Sequence, residues 1–214
     1  ALFRQEWKDF QFTILGQNGL TEIKNANQAR IDGLEMDVNF AATYNLQLSA
    51  GVAFYDAKLT ENYCGFTDVN GNPVTDCADP EAPSGTRLPV TADFKGNLNA
   101  RYTFDWNGYE PFIQGSVVYE GSRTSDLRII EREILGNMPS YTMFDLSAGI
   151  RKDSWTLNLY VKNLFDERAE FNRFTMCAVT VCGASGVVPE YPDGQVYTVA
   201  AQPRTIGLRF SQEF

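Results

Sequence analysis

Histidine is absent from the 214 residues. That removes Ser-His-Asp and Cys-His catalysis, His-ligated zinc, and the usual proton shuttle near neutral pH. No apolar run approaches the ~18–20 residues that a membrane-spanning helix requires. Basic residues are outnumbered: 18 Lys and Arg face 27 Asp and Glu, for a net charge of −9. A general nucleic-acid binder is excluded on that balance, because phosphate binding needs a basic face. There is no basic start followed by an apolar stretch, so the opening Ala1-Leu2-Phe3-Arg4-Gln5-Glu6-Trp7 is not a signal peptide. It reads as the middle of a structured element, and the chain as a trimmed or partial one. Disorder is excluded by 43% hydrophobic and 13% aromatic residues.

Cysteine is scarce, with four residues in two close pairs, Cys64 with Cys77 and Cys177 with Cys182. Both pairs lie in turn-rich stretches. Metal ligation is the competing reading, but neither pair has C-x-x-C spacing and no histidine is available. Two local disulfides fit better and imply an oxidising compartment. The expectation is no metal and no cofactor.

What the sequence does have is period-two alternation. Ile206, Leu208, Phe210 and Phe214 share one face of the last segment, broken only by Gln212, while Thr205, Gly207, Arg209, Ser211 and Glu213 share the other. The same pattern recurs along the chain and predicts eight strands. They lie at about residues 2–15, 28–43, 46–58, 90–104, 109–121, 140–152, 155–167 and 204–214. No segment shows a helical apolar stripe. This is an all-β chain, with a strand content that only a sheet-built architecture makes reasonable.

The connections take turns. Those at Thr43–Asn45, Asp105–Gly108 and Lys152–Ser154 are tight. Those at Leu15–Asn27, Leu59–Pro89, Ser122–Pro139 and Arg168–Pro203 are long. An antiparallel up-and-down barrel in an outer membrane sorts its loops this way, with short periplasmic turns and long external loops. The apolar face is free of charge across the strand centres. Tyr102, Phe104, Trp106 and Tyr109 surround one short turn and Trp155 follows the next, like an interfacial aromatic girdle. The alternation expects Leu48, Val52, Leu98, Ala100, Leu146, Leu157, Leu159 and Leu208 towards lipid. Asn97, Arg101, Ser147, Asn158, Tyr160 and Arg209 belong to the lumen.

Five stretches, in order, resemble the C-terminal barrel of TonB-dependent receptors. They are Asn25–Asp37 (an N-A-x-x-A-R-x-x-G-x-E run), Leu46–Lys58, Leu88–Leu98, Leu157–Glu167 with its Asn163-Leu164-Phe165-Asp166, and Pro203–Phe210 leading to Phe214. The resemblance implies a larger, 22-stranded barrel, of which residues 1–214 supply the C-terminal strands, with the plug and the earlier strands elsewhere. It implies a Gram-negative outer-membrane location, and no enzyme. It also implies uptake of a scarce, bulky small molecule, a ferric siderophore foremost, energised by the TonB complex through the missing N-terminal region. The expected partners are therefore outer-membrane lipid, TonB, the small-molecule ligand and the assembly machinery. That machinery would read the C-terminal strand through Phe210 and Phe214. The alternatives are a complete eight-stranded porin-like barrel and a soluble β-sandwich binding module. For ligand contact, Arg123, Arg128 and Arg132 in the fifth-to-sixth connection are the candidate residues, since guanidinium groups match carboxylate, catecholate or phosphate; their competing reading is decoration of an exposed loop beside Asp126, Glu131 and Glu133.

Overall fold

A computed structural model of the chain describes residues 1–15, 20–175 and 196–213. The elements are β1 (Leu2–Leu15), β2 (Thr21–Ala41), β3 (Leu46–Leu59), β4 (Phe94–Thr103), β5 (Glu110–Glu120), α1 (Ile129–Leu135), β6 (Tyr141–Lys152), β7 (Trp155–Lys162), β8 (Glu170–Thr175), β9 (Val196–Ala200) and β10 (Thr205–Gln212). One antiparallel sheet runs β1-β2-β3-β4-β5-β6-β7-β10, and β8 and β9 form a separate hairpin.

The register joins the apolar positions into continuous rows. Leu48 lies opposite Ala100, Ala100 opposite Gly115, Gly115 opposite Leu146, and Leu146 opposite Val161. Leu159 continues to Leu208 and Leu157 to Phe210. Leu34, Met36, Val38, Phe40, Leu98, Leu159, Ile206, Leu208 and Phe210 are all exposed. A face this wide, apolar and uncovered is what a lipid-facing barrel wall presents. The opposite face carries Asn97, Arg101, Ser147, Asn158, Tyr160 and Arg209; one row runs from Arg101 through Gln114 and Ser147 to Tyr160, and Asn158 lies opposite Arg209.

Aromatic rings close both ends of the apolar band. At the short-turn end the Tyr102 and Phe104 rings sit 4.8 Å apart and Trp106 and Tyr109 6.3 Å apart. At the other end Phe54, Phe94 and Tyr119 form a chain at 4.6 and 5.6 Å, and Phe144 meets Phe165 at 5.2 Å. Ten residues separate Phe94 from Phe104. At ~3.3 Å per residue and a tilt of ~40° they span about 25 Å, the height of an outer-membrane apolar band.

Three polar-face glycines sit directly opposite an aromatic residue. Phe3 pairs with Gly33, Phe112 with Gly149, and Tyr160 with Gly207. Each ring lies over the glycine, so that a Cβ there would come within 2.3–2.5 Å of it. The missing side chain is the seat of the ring.

Four expectations need correction. The strand expected at 28–43 begins at Thr21, because β1 and β2 keep pairing from Leu2↔Leu34 to Leu15↔Thr21. The long connection expected at Leu15–Asn27 therefore shortens to residues 16–20. The strand expected at 155–167 ends at Lys162. Asn163 and Asp166 take left-handed backbone conformations there (φ 51° and 56°). The strand expected at 90–104 begins at Phe94, since Val90 is left-handed (φ 57°) just after Pro89. Finally, the long connections expected at Ser122–Pro139 and Arg168–Pro203 contain α1 and the β8–β9 hairpin. Helix α1 has seven residues with a single buried apolar side chain, Leu135, too short to show a periodic stripe.

The Asn163-Leu164-Phe165-Asp166 run ties three strands together. The Asn163 amide N–H donates to Asp145 Oδ1 (2.8 Å), its Nδ2 donates to the carbonyls of Glu167 and Gln202 (2.9 Å each), and its Oδ1 accepts from Glu167 N–H (2.8 Å). Asp166 Oδ1 accepts from the Arg204 amide at 2.8 Å. This clip fixes where β7 leaves the sheet and where β10 enters it.

Candidate ligand-facing site

The polar wall and the long connections meet in one region. Register sets Glu35, Ala53, Lys95 and Glu120 in one row, and Asp37, Gly51, Asn97 and Val118 in the next. Gly51 makes room at the centre: a Cβ there would lie 2.9 Å from Asp37 Oδ1 and 3.0 Å from Asn97 Nδ2. The result is a recess of about 540 Å³ lined by Glu35, Asp37, Tyr55, Lys95, Asn97 and Glu120, among others. Two phenols hold two of its three carboxylates. Tyr55 donates to Glu35 Oε1 and Tyr141 to Glu120 Oε2, each at 2.5 Å. The Lys95 ammonium stands 5.1 Å from the Tyr55 ring centroid. Among the described residues Lys95 makes no salt bridge.

Beyond the recess, residues 60–93 and 121–140 fold together over the ends of β1–β3. Phe12, Ile14, Ala26, Ala29, Ala57, Leu59, Tyr63, Ala82, Leu88 and Leu127 make a buried cluster. The two segments are stitched by backbone: Ile129 N–H donates to Glu81 O (2.9 Å) and Val90 N–H to Thr124 O (2.7 Å). Cys64 and Cys77 are joined as a disulfide, with Cα atoms 6.2 Å apart. Cys177 and Cys182 lie outside the described residues, as does Phe214. Burial pushes the Tyr63 phenol up to about 12, with the Glu81 carboxylate adding to the shift.

The three arginines separate. Arg123 is 3% exposed. Its guanidinium donates to the carbonyls of Glu170 (3.0 Å) and Phe171 (3.4 Å) and lies 3.5 Å from Glu120. Arg128 is also buried, paired with Asp126 at 3.2 Å and Glu131 at 2.8 Å. Burial works against its charge, but the Asp126 hydrogen bond and the nearby acids more than compensate and raise its affinity for the proton. Burial lifts the Glu131 carboxyl above its ordinary value against the pull of Arg128. These two arginines are structural ties rather than loop decoration. Arg132 is different. It lines a second recess of about 530 Å³ with Thr86, Ile129, Glu133, Gly136 and Asn137. It is close enough to Arg87 to depress the proton affinity of that residue, already lowered by burial.

The alternation already puts Lys95 and Asn97 on the polar face. It does not show that Glu35, Asp37, Tyr55 and Glu120 gather beside them, because that requires the register of four strands.

With this geometry in place, the comparisons with known proteins fall into line. The family model described as "TonB dependent receptor-like, beta-barrel" matches residues 1–164. A probable TonB-dependent siderophore receptor, PiuA of Acinetobacter baumannii, is 26% identical over 170 residues, which cover 78% of this chain and 20% of that protein. The crystal structure of PiuA superposes with a TM-score of 0.63 at 19% identity, covering 98% of this chain and 24% of that one. The ferric yersiniabactin uptake receptor FyuA from Yersinia pestis superposes with a TM-score of 0.67 at 17% identity, covering 100% and 27%. At these identities the solved structures establish the fold. The chain spans between a fifth and about a quarter of the length of these relatives.

Proposed function

The chain belongs to the TonB-dependent receptor-like β-barrel family, and from that premise we propose that it contributes the C-terminal barrel wall and external loops of an outer-membrane receptor for ferric siderophores. Members of this family are outer-membrane barrels of Gram-negative bacteria and act as receptors, not enzymes. The observation that carries the reading is the family match over residues 1–164 together with a siderophore-receptor relative. The open edges support a larger barrel over a self-contained eight-stranded one. The sheet ends at β1 and β10, which do not pair with each other, and lipid tolerates no unpaired edge. Further strands of the full receptor would cover both.

In this reading residues 1–214 do no chemistry. Ligand meets the folded loops first, at Arg132, and then the wall recess at Lys95. Arg123 and Arg128 hold the loops that present Arg132. Energy comes from TonB, because the outer membrane has no ATP supply. Phe210, on the lipid side, and Phe214 serve the assembly machinery. The test is uptake of radiolabelled ferric siderophore by iron-starved cells. Uptake is expected to vanish when the receptor is deleted and, equally, when TonB is deleted. Undiminished uptake without TonB refutes the energised-transport assignment.

A further inference from the structure

On β4, β6, β7 and β10 the polar face carries five cations, Lys95, Arg101, Arg151, Lys162 and Arg209. None of them makes a salt bridge among the described residues. The pairs made by Arg4, Arg30 and Lys58 all lie on the other face. Acids are at hand and are spent elsewhere. Lys95 stands directly opposite Glu120, but Glu120 accepts from Tyr141 and turns to Arg123. Arg151 stands directly opposite Glu110 without closing a pair. Asp145 accepts from the Asn163 N–H.

Aromatic rings take the place of carboxylates. The Arg101 guanidinium lies 3.8 Å from the Phe112 ring centroid, Arg209 5.7 Å from Tyr160, and the Lys95 ammonium 5.1 Å from Tyr55. Phe112 is itself seated over Gly149 and Tyr160 over Gly207. The same glycine–ring–guanidinium stack is thus built twice, on different strands. A ring face orients a cation and covers one side of it, but leaves its charge in place. Arg101 spends one further donor on a neutral acceptor, Gln114 Oε1 at 3.3 Å.

These cations succeed one another along the wall. Arg101 is six residues along β4 from Lys95. That is about 15 Å towards the short-turn end at the strand spacing and tilt used above. Arg209 belongs to the next row, with Asn158, Gly149 and Phe112, and Arg151 to the row after it, with Glu110 and Thr156. Between them the wall offers neutral hydrogen-bonding groups, among them Asn97, Asn99, Ser147 and Asn158. Cations left un-neutralised along a cleft raise the local concentration of anions. Several weak stations also let an anion move on where one strong site would hold it. We infer that Arg101, Arg209 and Arg151, following Lys95, form a transit track for anionic solutes along the lumen wall. That the natural solute is an anionic ferric complex rests on the receptor role proposed above; the track itself rests on the wall.

The test reads the charge of the wall in the full-length receptor, in iron-starved cells. Ser147→Cys places a thiol among the three arginines: Arg101 is in its row, Arg151 on its strand and Arg209 in the next row. The thiol is labelled with a sulfonate-bearing or an ammonium-bearing methanethiosulfonate, each rate normalised to a free thiol in solution. The sulfonate reagent is expected to react roughly tenfold faster than the ammonium reagent, and the ratio should fall as salt is raised. Adding Arg101→Gln, Arg151→Gln and Arg209→Gln should abolish the preference. The set Arg101→Lys, Arg151→Lys, Arg209→Lys should keep it. Gln114→Glu, which hands Arg101 an internal partner, should weaken it. Heat-modifiable migration on gels confirms that each variant is folded. An unchanged ratio in the glutamine set overturns the proposal, because carboxylates from the rest of the receptor would then already neutralise the guanidiniums. A thiol that neither reagent reaches while TonB is active overturns it as well. With Ser147 restored, the glutamine set should slow uptake of an anionic ferric tris-catecholate about tenfold while its binding to the cell surface is unchanged. Loss of surface binding in step with uptake would make these cations a capture site and overturn the transit role. If the receptor takes up no ferric tris-catecholate, the reagent ratio still decides the proposal, so the uptake reading and the track fail separately.

Discussion

Replacing Gly149 by alanine tests whether glycine seats, rather than side-chain contacts alone, set the spacing of β5, β6 and β7. An added Cβ would lie 2.5 Å from Phe112 Cζ and 2.6 Å from the carbonyl oxygen of Leu157. The ring can turn away, at the cost of its stacking under the Arg101 guanidinium, which lies 3.8 Å from the ring centroid. The carbonyl cannot move without disturbing the Gly149↔Asn158 and Ile150↔Leu157 pairing. Overpacking of this kind costs about 1–3 kcal/mol, and the backbone clash puts Gly149→Ala near the top of that range. Gly207→Ala should cost less, about 1 kcal/mol, because the three atoms nearest its would-be Cβ all belong to the Tyr160 side chain, which can turn. Gly115 is the control. It lies on the lipid side of β5, with nothing within 4 Å of its would-be Cβ. Gly115→Ala should therefore fall within about 0.5 kcal/mol of wild type. The assay is urea unfolding of the full-length receptor in lipid vesicles, followed by tryptophan fluorescence. Equal midpoints for Gly149→Ala and Gly115→Ala would refute the argument.

Three further outcomes are expected. Leu159→Arg, on the lipid face near mid-membrane, should cost about 2–4 kcal/mol in the same assay, and Asn158→Arg, one residue along and facing the lumen, much less; similar penalties would contradict the assignment of faces. Cys64→Ser with Cys77→Ser opens a disulfide closing a 13-residue separation, which removes about 3 kcal/mol of restraint; limited proteolysis should then cut within residues 60–93 while the barrel still migrates as folded, and peptide mapping without reductant should also show Cys177 joined to Cys182. Tyr63, held up to about 12 by burial first and then by Glu81, ties loop stability to alkaline pH. Its folded value exceeds its ordinary value of 10.0, so the neutral phenol is favoured by the fold, and its contribution is intact below pH 10 and lost as pH climbs towards about 12. Hydrogen exchange across residues 60–93 should accelerate in that window, and Tyr63→Phe should remove the dependence.

How much of this was legible in the sequence varies with distance from the membrane. Within the bilayer each strand must bury one side in lipid and wet the other, so every second residue reports its face. Leu157, Leu159, Leu208 and their polar neighbours could be sorted on that basis alone. The upper parts of β1 and β2 obey a different rule. Past Arg30 their partners are each other and the loop core, so Ala26 and Ala29 are both buried despite opposite parity. Alternation fails there, and the strand start at Thr21 is invisible to it. Helix α1 and the β8–β9 hairpin are held by contacts distant in sequence. Ile129 hangs from Glu81, and the Arg173 guanidinium reaches the carbonyl of Leu135 at 2.8 Å. No local window contains both partners.

The same division explains the arginines. A guanidinium in a long polar connection reads identically whether it waits for a ligand or ties two loops together. Arg123 sits three residues from Glu120, and Arg128 has Asp126 and Glu131 within three, so local acids were visible beside both. What the sequence could not show is that Arg123 and Arg128 are buried, with the Arg123 guanidinium 5.4 Å from the Tyr141 ring centroid. Burial makes the neutralisation obligatory, since an unpaired charge there would cost several kcal/mol. Arg132 also has acidic neighbours, Glu131 and Glu133, yet Glu131 is committed to Arg128 and the structure gives Arg132 no ion pair among the described residues. In the proposed receptor role this half-buried guanidinium would meet an anion without first breaking an internal ion pair, and that is the physical basis for separating it from the other two.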